Sequence, residues 1–261
     1  MKRIALILLT SFLIYGCSNQ NKKGELQTLN VIEDYANENF FKPIIFKSKD
    51  GLDITADAYF KDDQPITVLL CHQAGFSRGE YKDSALKLNE LGFSALAIDQ
   101  RSGNSANSII NETAKLAKQK GIPTGFLDAR QDIEAAIDYI YKHNGNRKII
   151  LVGSSYSASL SLLIGNKNDK VKAVAVFSPG EYFKGIQINE EIAGFSKPLY
   201  VTASNQETKG VEILVSKIKN KSLTHYKPSE KGIHGSRALW ETTDGVEGYW
   251  KSFSNFLLKN K

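Results

Sequence analysis

The chain is poor in the residues that build stapled or metal-held folds: its 261 residues include two cysteines, one methionine and two tryptophans. Two cysteines make neither a disulfide framework nor a cysteine-rich zinc site. Six prolines and twenty glycines follow no period, which excludes collagen-like and low-complexity arrays. The formal charge of +6 is spread along the chain without a run of five like charges, so a nucleic-acid-binding arm is not expected. No apolar stretch reaches the ~20 residues that span a bilayer. What is present is a globular composition, with 41% hydrophobic, 24% charged and 10% aromatic residues. This length suits one large α/β domain or at most two small ones.

The N-terminus reads as an address. Lys2 and Arg3 precede an apolar run, Ile4 to Ile14, broken only by Thr10 and Ser11, and Tyr15-Gly16-Cys17 follows. A charged start, a short apolar stretch and a small residue before a cut site describe a secretory signal. Gly16-Cys17 resembles the bacterial lipobox, in which the cysteine is acylated and becomes the first residue after cleavage. The expectation is a lipoprotein signal peptide over 1–16 and lipidation at Cys17. A tether with a short helix would follow over 17–40, and the folded domain over 41–261. The protein would then be membrane-anchored in the cell envelope, on the periplasmic or cell-surface side. Cys71 would be the only remaining thiol, expected to be buried and inert.

Within the domain, 41–47 and 52–60 flank Asp50-Gly51, which predicts an antiparallel hairpin. An apolar run over 66–71 then marks a strand buried on both faces, 93–98 reads as another buried strand, and further strands fall at 148–152, 171–177, 199–203 and 223–226. Helical periodicity appears between them, over 81–91, 112–120, 128–141, 156–164 and 211–219, and again over 245–258. Such alternation predicts an α/β fold, a doubly wound and mostly parallel sheet carrying ligands at the carboxyl ends of its strands. The stretch 104–125 reads either as a small lid or as a surface crossover.

The strand at 148–152 runs into Gly153-Ser154-Ser155-Tyr156-Ser157. This resembles the nucleophile elbow of α/β-hydrolases, where the serine needs small residues two before and two after it. Gly153 and Ser157 meet that need for Ser155, whereas Ser154 has Val152 two positions before it. The family order of serine, acid, histidine points to His234, which lies between the last strand and the C-terminal helix. Glu207 is the first carboxylate after the 199–203 strand and the leading acid, with Glu181 as the alternative. His72-Gln73-Ala74-Gly75 resembles the superfamily's oxyanion loop. By that match the oxyanion donors are the N–H groups of Ala74, or Gln73, and of Tyr156.

The resemblance covers about residues 41–261 and is nearest to serine members of the dienelactone-hydrolase-like branch. It implies cleavage of a small-molecule ester, thioester or small amide through an acyl-enzyme, with no metal or cofactor and no nucleic-acid partner. The rival expectation is a non-catalytic envelope binding protein on the same fold. Arg78, Arg101 and Arg237 fall in or beside the loops expected to ring the site. Arg101 is the leading candidate to grip an anionic substrate, and the competing reading has each arginine bracing a loop through a local carboxylate.

Overall fold

Asp50-Gly51 forms the expected turn, with Gly51 at φ +82° and its N–H donating to Ser48 O at 3.0 Å. The computed structural model describes residues 41–61 and 66–261. The signal peptide, Cys17 and the tether with its short helix lie outside the described residues. The turn joins β1 (Lys42–Lys47) to β2 (Asp53–Tyr59), antiparallel with Lys42 opposite Ala58. Leu52, Ile54, Ala56 and Ala58 face the core. The opposite face of β2 is buried as well, with Asp57 bonded to Arg78 and the Thr55 N–H to Thr113.

The remaining elements follow as β3 (Thr67–Cys71), α1 (Lys82–Glu90), β4 (Ser94–Ile98), β5 (Ser105–Ala106), β6 (Ile109–Ile110), α2 (Glu112–Gln119) and α3 (Arg130–His143). Then come β7 (Ile149–Ser154), α4 (Tyr156–Lys167), β8 (Val171–Phe177), α5 (Ile188–Glu191), β9 (Leu199–Thr202), α6 (Thr208–Val215), β10 (Leu223–Tyr226) and α7 (Val246–Lys259). The eight-stranded sheet has the order β1-β2-β4-β3-β7-β8-β9-β10, parallel from β4 onward. This is the predicted mostly parallel sheet with an N-terminal antiparallel hairpin.

Leu69, Leu96, Leu151 and Val174 from the strands pack with Ile133, Ile137 and Ile140 of α3 and Leu160 and Leu163 of α4. Each such side chain contributes roughly 1.5–3 kcal/mol when fully buried. Helix α4 is buried from Tyr156 to Gly165, so it has no polar face. It lies close to the sheet: a Cβ on Gly165 would stand 2.4 Å from Val174 Cγ2.

Two features escape the periodicity. Arg78–Tyr81 forms a 3-10 turn ahead of α1. β5 and β6 form a small separate hairpin, turned by Asn107 and Ser108 at φ +48° and +64°. That hairpin is tied to the body, because Ser77 Oγ donates to Ile109 O (2.7 Å) and Arg78 Nη1 to Ile110 O (3.0 Å). The first part of 104–125 is therefore a packed crossover.

Candidate active site

The carboxyl ends of β3, β7, β8 and β9 and the chain after β10 supply the groups of interest. Ser155 directly follows β7 with φ +58° and ψ −121°. A non-glycine residue held there costs about 1–3 kcal/mol and persists only where its surroundings over-determine it. They do so here. The Ser155 N–H donates to Phe177 O (2.8 Å), and Ala158 N–H donates to Ser155 O (2.9 Å). Gly153 admits the helix: a Cβ there would lie 2.4 Å from Ser157 O and 2.7 Å from Ala158 Cα. Ser157 Oγ is buried, accepting from Ser154 N–H (3.0 Å) beside the carbonyls of Cys71, His72 and Ser154. Ser154 Oγ is engaged by Glu80 (2.7 Å). Ser155 alone of the three is tied through its hydroxyl neither to a backbone group nor to Glu80. Its side chain lies beside the hydroxyl of Tyr182, which donates to Ser178 O at 2.9 Å.

His234 and Glu207 are hydrogen-bonded through Nδ1 and Oε1. Glu207 follows β9 at the start of the segment leading into α6. Its other oxygen accepts from Ser178 Oγ (2.8 Å), Ser204 N–H (3.1 Å) and Ser204 Oγ (2.7 Å). Burial pushes this carboxyl up, but the bonds from His234, Ser204 and Ser178 outweigh it and bring the pKa to about 2. Glu207 is thus an acceptor at neutral pH, which places a proton on His234 Nδ1 and leaves Nε2 available. His234 Nε2 makes no hydrogen bond among the described residues. Catalytic hydrogen bonds commonly close only when substrate is bound. Glu181 serves elsewhere, accepting from the N–H groups of Ile188 (2.7 Å) and Asn189 (2.9 Å) at the start of α5.

Of the expected oxyanion donors, the Ala74 and Tyr156 N–H groups take no partner among the described residues. The Gln73 N–H is excluded as a donor because it already binds Glu80 Oε2 at 2.7 Å. The Tyr156 ring is buried, donates through its hydroxyl to Ser102 O (3.1 Å) and stacks on Phe126 at 4.4 Å. His72 is structural, with Nδ1 on Gln73 O (2.8 Å) and Nε2 accepting from Gln100 N–H (3.0 Å). Cys71 is buried and free, and burial pushes its thiol pKa up.

The expectation for Arg101 is corrected. It is 1% exposed, and its guanidinium binds Asp132 and Asp50, with closest contacts of 2.7 Å to each. It braces the β1–β2 turn against α3 and offers nothing to a ligand. Arg78 is likewise paired, with Asp57 (2.9 Å) and Asp99 (2.7 Å). Arg237 makes no ion pair among the described residues and lies 5.6 Å from the Phe76 ring centre. Among the described residues, no cluster of His, Cys, Asp and Glu is arranged to hold a metal ion.

The sheet order and the strained serine turn define an α/β-hydrolase. The family model of serine aminopeptidase, S33, matches residues 63–256, so the chain belongs to that family and is a serine hydrolase. A comparison with curated protein sequences finds no match. Among solved structures, an esterase from Pyrococcus furiosus is similar at a TM-score of 0.65 and 15% identity, covering 84% of this chain and 90% of that one. Dienelactone hydrolase from Anabaena variabilis is similar at 0.62 and 13%, covering 85% and 99%. A cold-adapted esterase from an Arctic intertidal metagenomic library is similar at 0.58 and 18%, covering 84% and 92%. At these identities the likenesses speak for the fold.

Proposed function

We propose that the protein cleaves a small carboxylic ester, or a thioester or small amide, by way of an acyl-enzyme on Ser155. Ser155 Oγ attacks the carbonyl carbon while His234 Nε2 takes its proton. The N–H groups of Ala74 and Tyr156 receive the charge that develops on the carbonyl oxygen. Collapse expels the leaving group, which takes the proton from His234. Water then attacks the acyl carbon, with His234 again as the base, and Ser155 is restored. Glu207 holds the Nδ1–H tautomer and stabilises the imidazolium formed at each step.

The observation that carries this reading is the Glu207–His234 bond, with Nε2 left free, at the same strand ends as the elbow serine held at φ +58°. An ester is favoured over a free-amino peptide because the nearby carboxylates are engaged by protein donors. Glu207, Glu181 and Glu80 each accept at least two hydrogen bonds, so none is poised to receive a substrate ammonium. Phe126, Leu127 and Tyr182 are exposed apolar side chains on neighbouring loops, and they suit an apolar acyl or alcohol group. Ser155→Ala tests the reading. Hydrolysis of p-nitrophenyl esters and labelling by a fluorophosphonate should both disappear, and persistence of either removes Ser155 from the mechanism. Residues 1–17 support a second proposal, that the enzyme is anchored to a membrane of the cell envelope by lipid on Cys17.

A further inference from the structure

Glu80 carries no motif; in the sequence it is one polar residue in Ser77-Arg78-Gly79-Glu80-Tyr81. In the fold its side chain is buried, and three separate segments donate to its carboxyl group. Oε2 accepts the Gln73 N–H at 2.7 Å. Oε1 accepts the Ser154 hydroxyl at 2.7 Å and also the Ser236 hydroxyl. Ser236 N–H in turn donates to Ser154 Oγ at 2.8 Å, closing the network. The backbone carbonyl of Glu80 accepts from Trp240 Nε1 at 2.9 Å, which adds a second tie to the chain after His234.

A buried carboxylate without a salt bridge is costly, and Glu80 has no cation within ion-pairing distance among the described residues. The Gln73 N–H requires an acceptor at Oε2, and the two serine hydroxyls converge on Oε1. The three donors have a common character. Gln73 precedes Ala74, Ser154 precedes Ser155, and Ser236 lies two residues after His234. Each is close in the chain to a group that must converge on one substrate carbonyl. The approach is close enough to exclude a side chain at Gly235, where a Cβ would lie 2.6 Å from Ser154 Oγ.

We infer that Glu80 is a positioning residue of the hydrolase site, the single acceptor that sets the oxyanion loop, the serine elbow and the histidine loop at fixed separations. It touches neither substrate nor reacting atoms. The inference rests on the roles given above to Ser155, His234 and Ala74. Misplacement of reacting groups by about 1 Å costs on the order of 10²-fold in rate, so the effect belongs in kcat. A merely structural bond would lower the melting temperature and leave turnover per folded molecule intact.

The experiment compares full-length wild type with Glu80→Gln, Ser236→Ala and the double variant. Each is assayed for melting temperature, for kcat and KM on p-nitrophenyl acetate, and for the second-order rate of fluorophosphonate labelling. Glu80→Gln is expected to lower kcat and the labelling rate by about 10²-fold at assay temperatures where it is folded, with KM within about twofold. Ser236→Ala should lower both rates less, and the double variant should be no slower than Glu80→Gln, as members of one network are non-additive. A folded Glu80→Gln with kcat within about threefold of wild type overturns the inference. If Glu80→Gln does not fold, Ser236→Ala decides, and an unchanged kcat there overturns it. Retained activity in Ser155→Ala would instead remove the proposed mechanism itself.

Discussion

Glu207 and His234, 27 positions apart in the chain, meet through one hydrogen bond at Nδ1, and that bond assigns the free nitrogen of the ring. Glu207→Gln should therefore lower kcat by roughly 10³–10⁴-fold, the loss expected when the histidine tautomer and its counter-charge are lost. Glu181→Gln should leave kcat near wild type, because that carboxylate caps α5. Steady-state kinetics on a p-nitrophenyl ester would check both, and the reverse ranking would move the acid to the loop after β8.

The pH dependence of stability follows from the same carboxylate. Its folded pKa of about 2 lies below the ordinary 4.5, so the unfolded chain takes up a proton first as the pH falls. The stabilisation from Glu207 is full above about pH 4.5 and is lost as pH drops toward about 2. The melting-temperature gap between wild type and Glu207→Gln should shrink between pH 4.5 and 3. Thermal denaturation across that range would show it, and a gap that widens on acidification would contradict the assignment.

Arg101 should behave as a structural residue. Arg101→Ala leaves Asp132 buried without its partner, at a cost of about 3–5 kcal/mol. The ratio of KM values for anionic and neutral esters of equal size should not change. Calorimetry and paired kinetics separate this from substrate binding, in which KM for the anionic ester alone would rise.

Two glycines should respond oppositely to alanine. At Gly153 the new Cβ would meet backbone at 2.4 Å, so Gly153→Ala should destabilise by about 1–3 kcal/mol or more and disturb the elbow. Gly210 is exposed in α6, with nothing within 4 Å of the place an added methyl group would take. Gly210→Ala should stabilise by about 0.5–1 kcal/mol with unchanged activity. Chemical denaturation of the two variants would measure both.

Cys17→Ser should abolish lipidation and release the enzyme from membranes, or leave the precursor uncleaved. Mass spectrometry of the mature N-terminus decides it: an unmodified start at another position removes the anchor.

The strands are legible in the sequence because a parallel strand buried on both faces must be mostly apolar, as 68–71, 95–98 and 173–177 are. Ser155 is legible because the close crossing of α4 over β7 restricts Gly153 to a residue without a side chain. His234 can be found from its place after the last strand. Other features depend on side chains meeting across the fold. Arg101 finds Asp50 and Asp132 at 51 and 31 positions' distance, and no local pattern announces such pairs. Glu80 is hidden for the same reason, since its two serine partners lie 74 and 156 positions away. The sequence offers the Gln73 N–H as an alternative oxyanion donor, and only the buried carboxylate beside it shows otherwise. The β5–β6 hairpin has too few residues to leave a periodic signal.

Helix α4, enclosed on every side, has a consequence for divergence within such a lineage. Substitution along it disturbs packing before it alters what the enzyme accepts, so the helix that follows Ser155 should drift slowly. Change of substrate preference must then come from the loops that bear Phe126, Leu127 and Tyr182, whose side chains are exposed. A library for new selectivity is best confined to those three positions, with the elbow and its helix left as found.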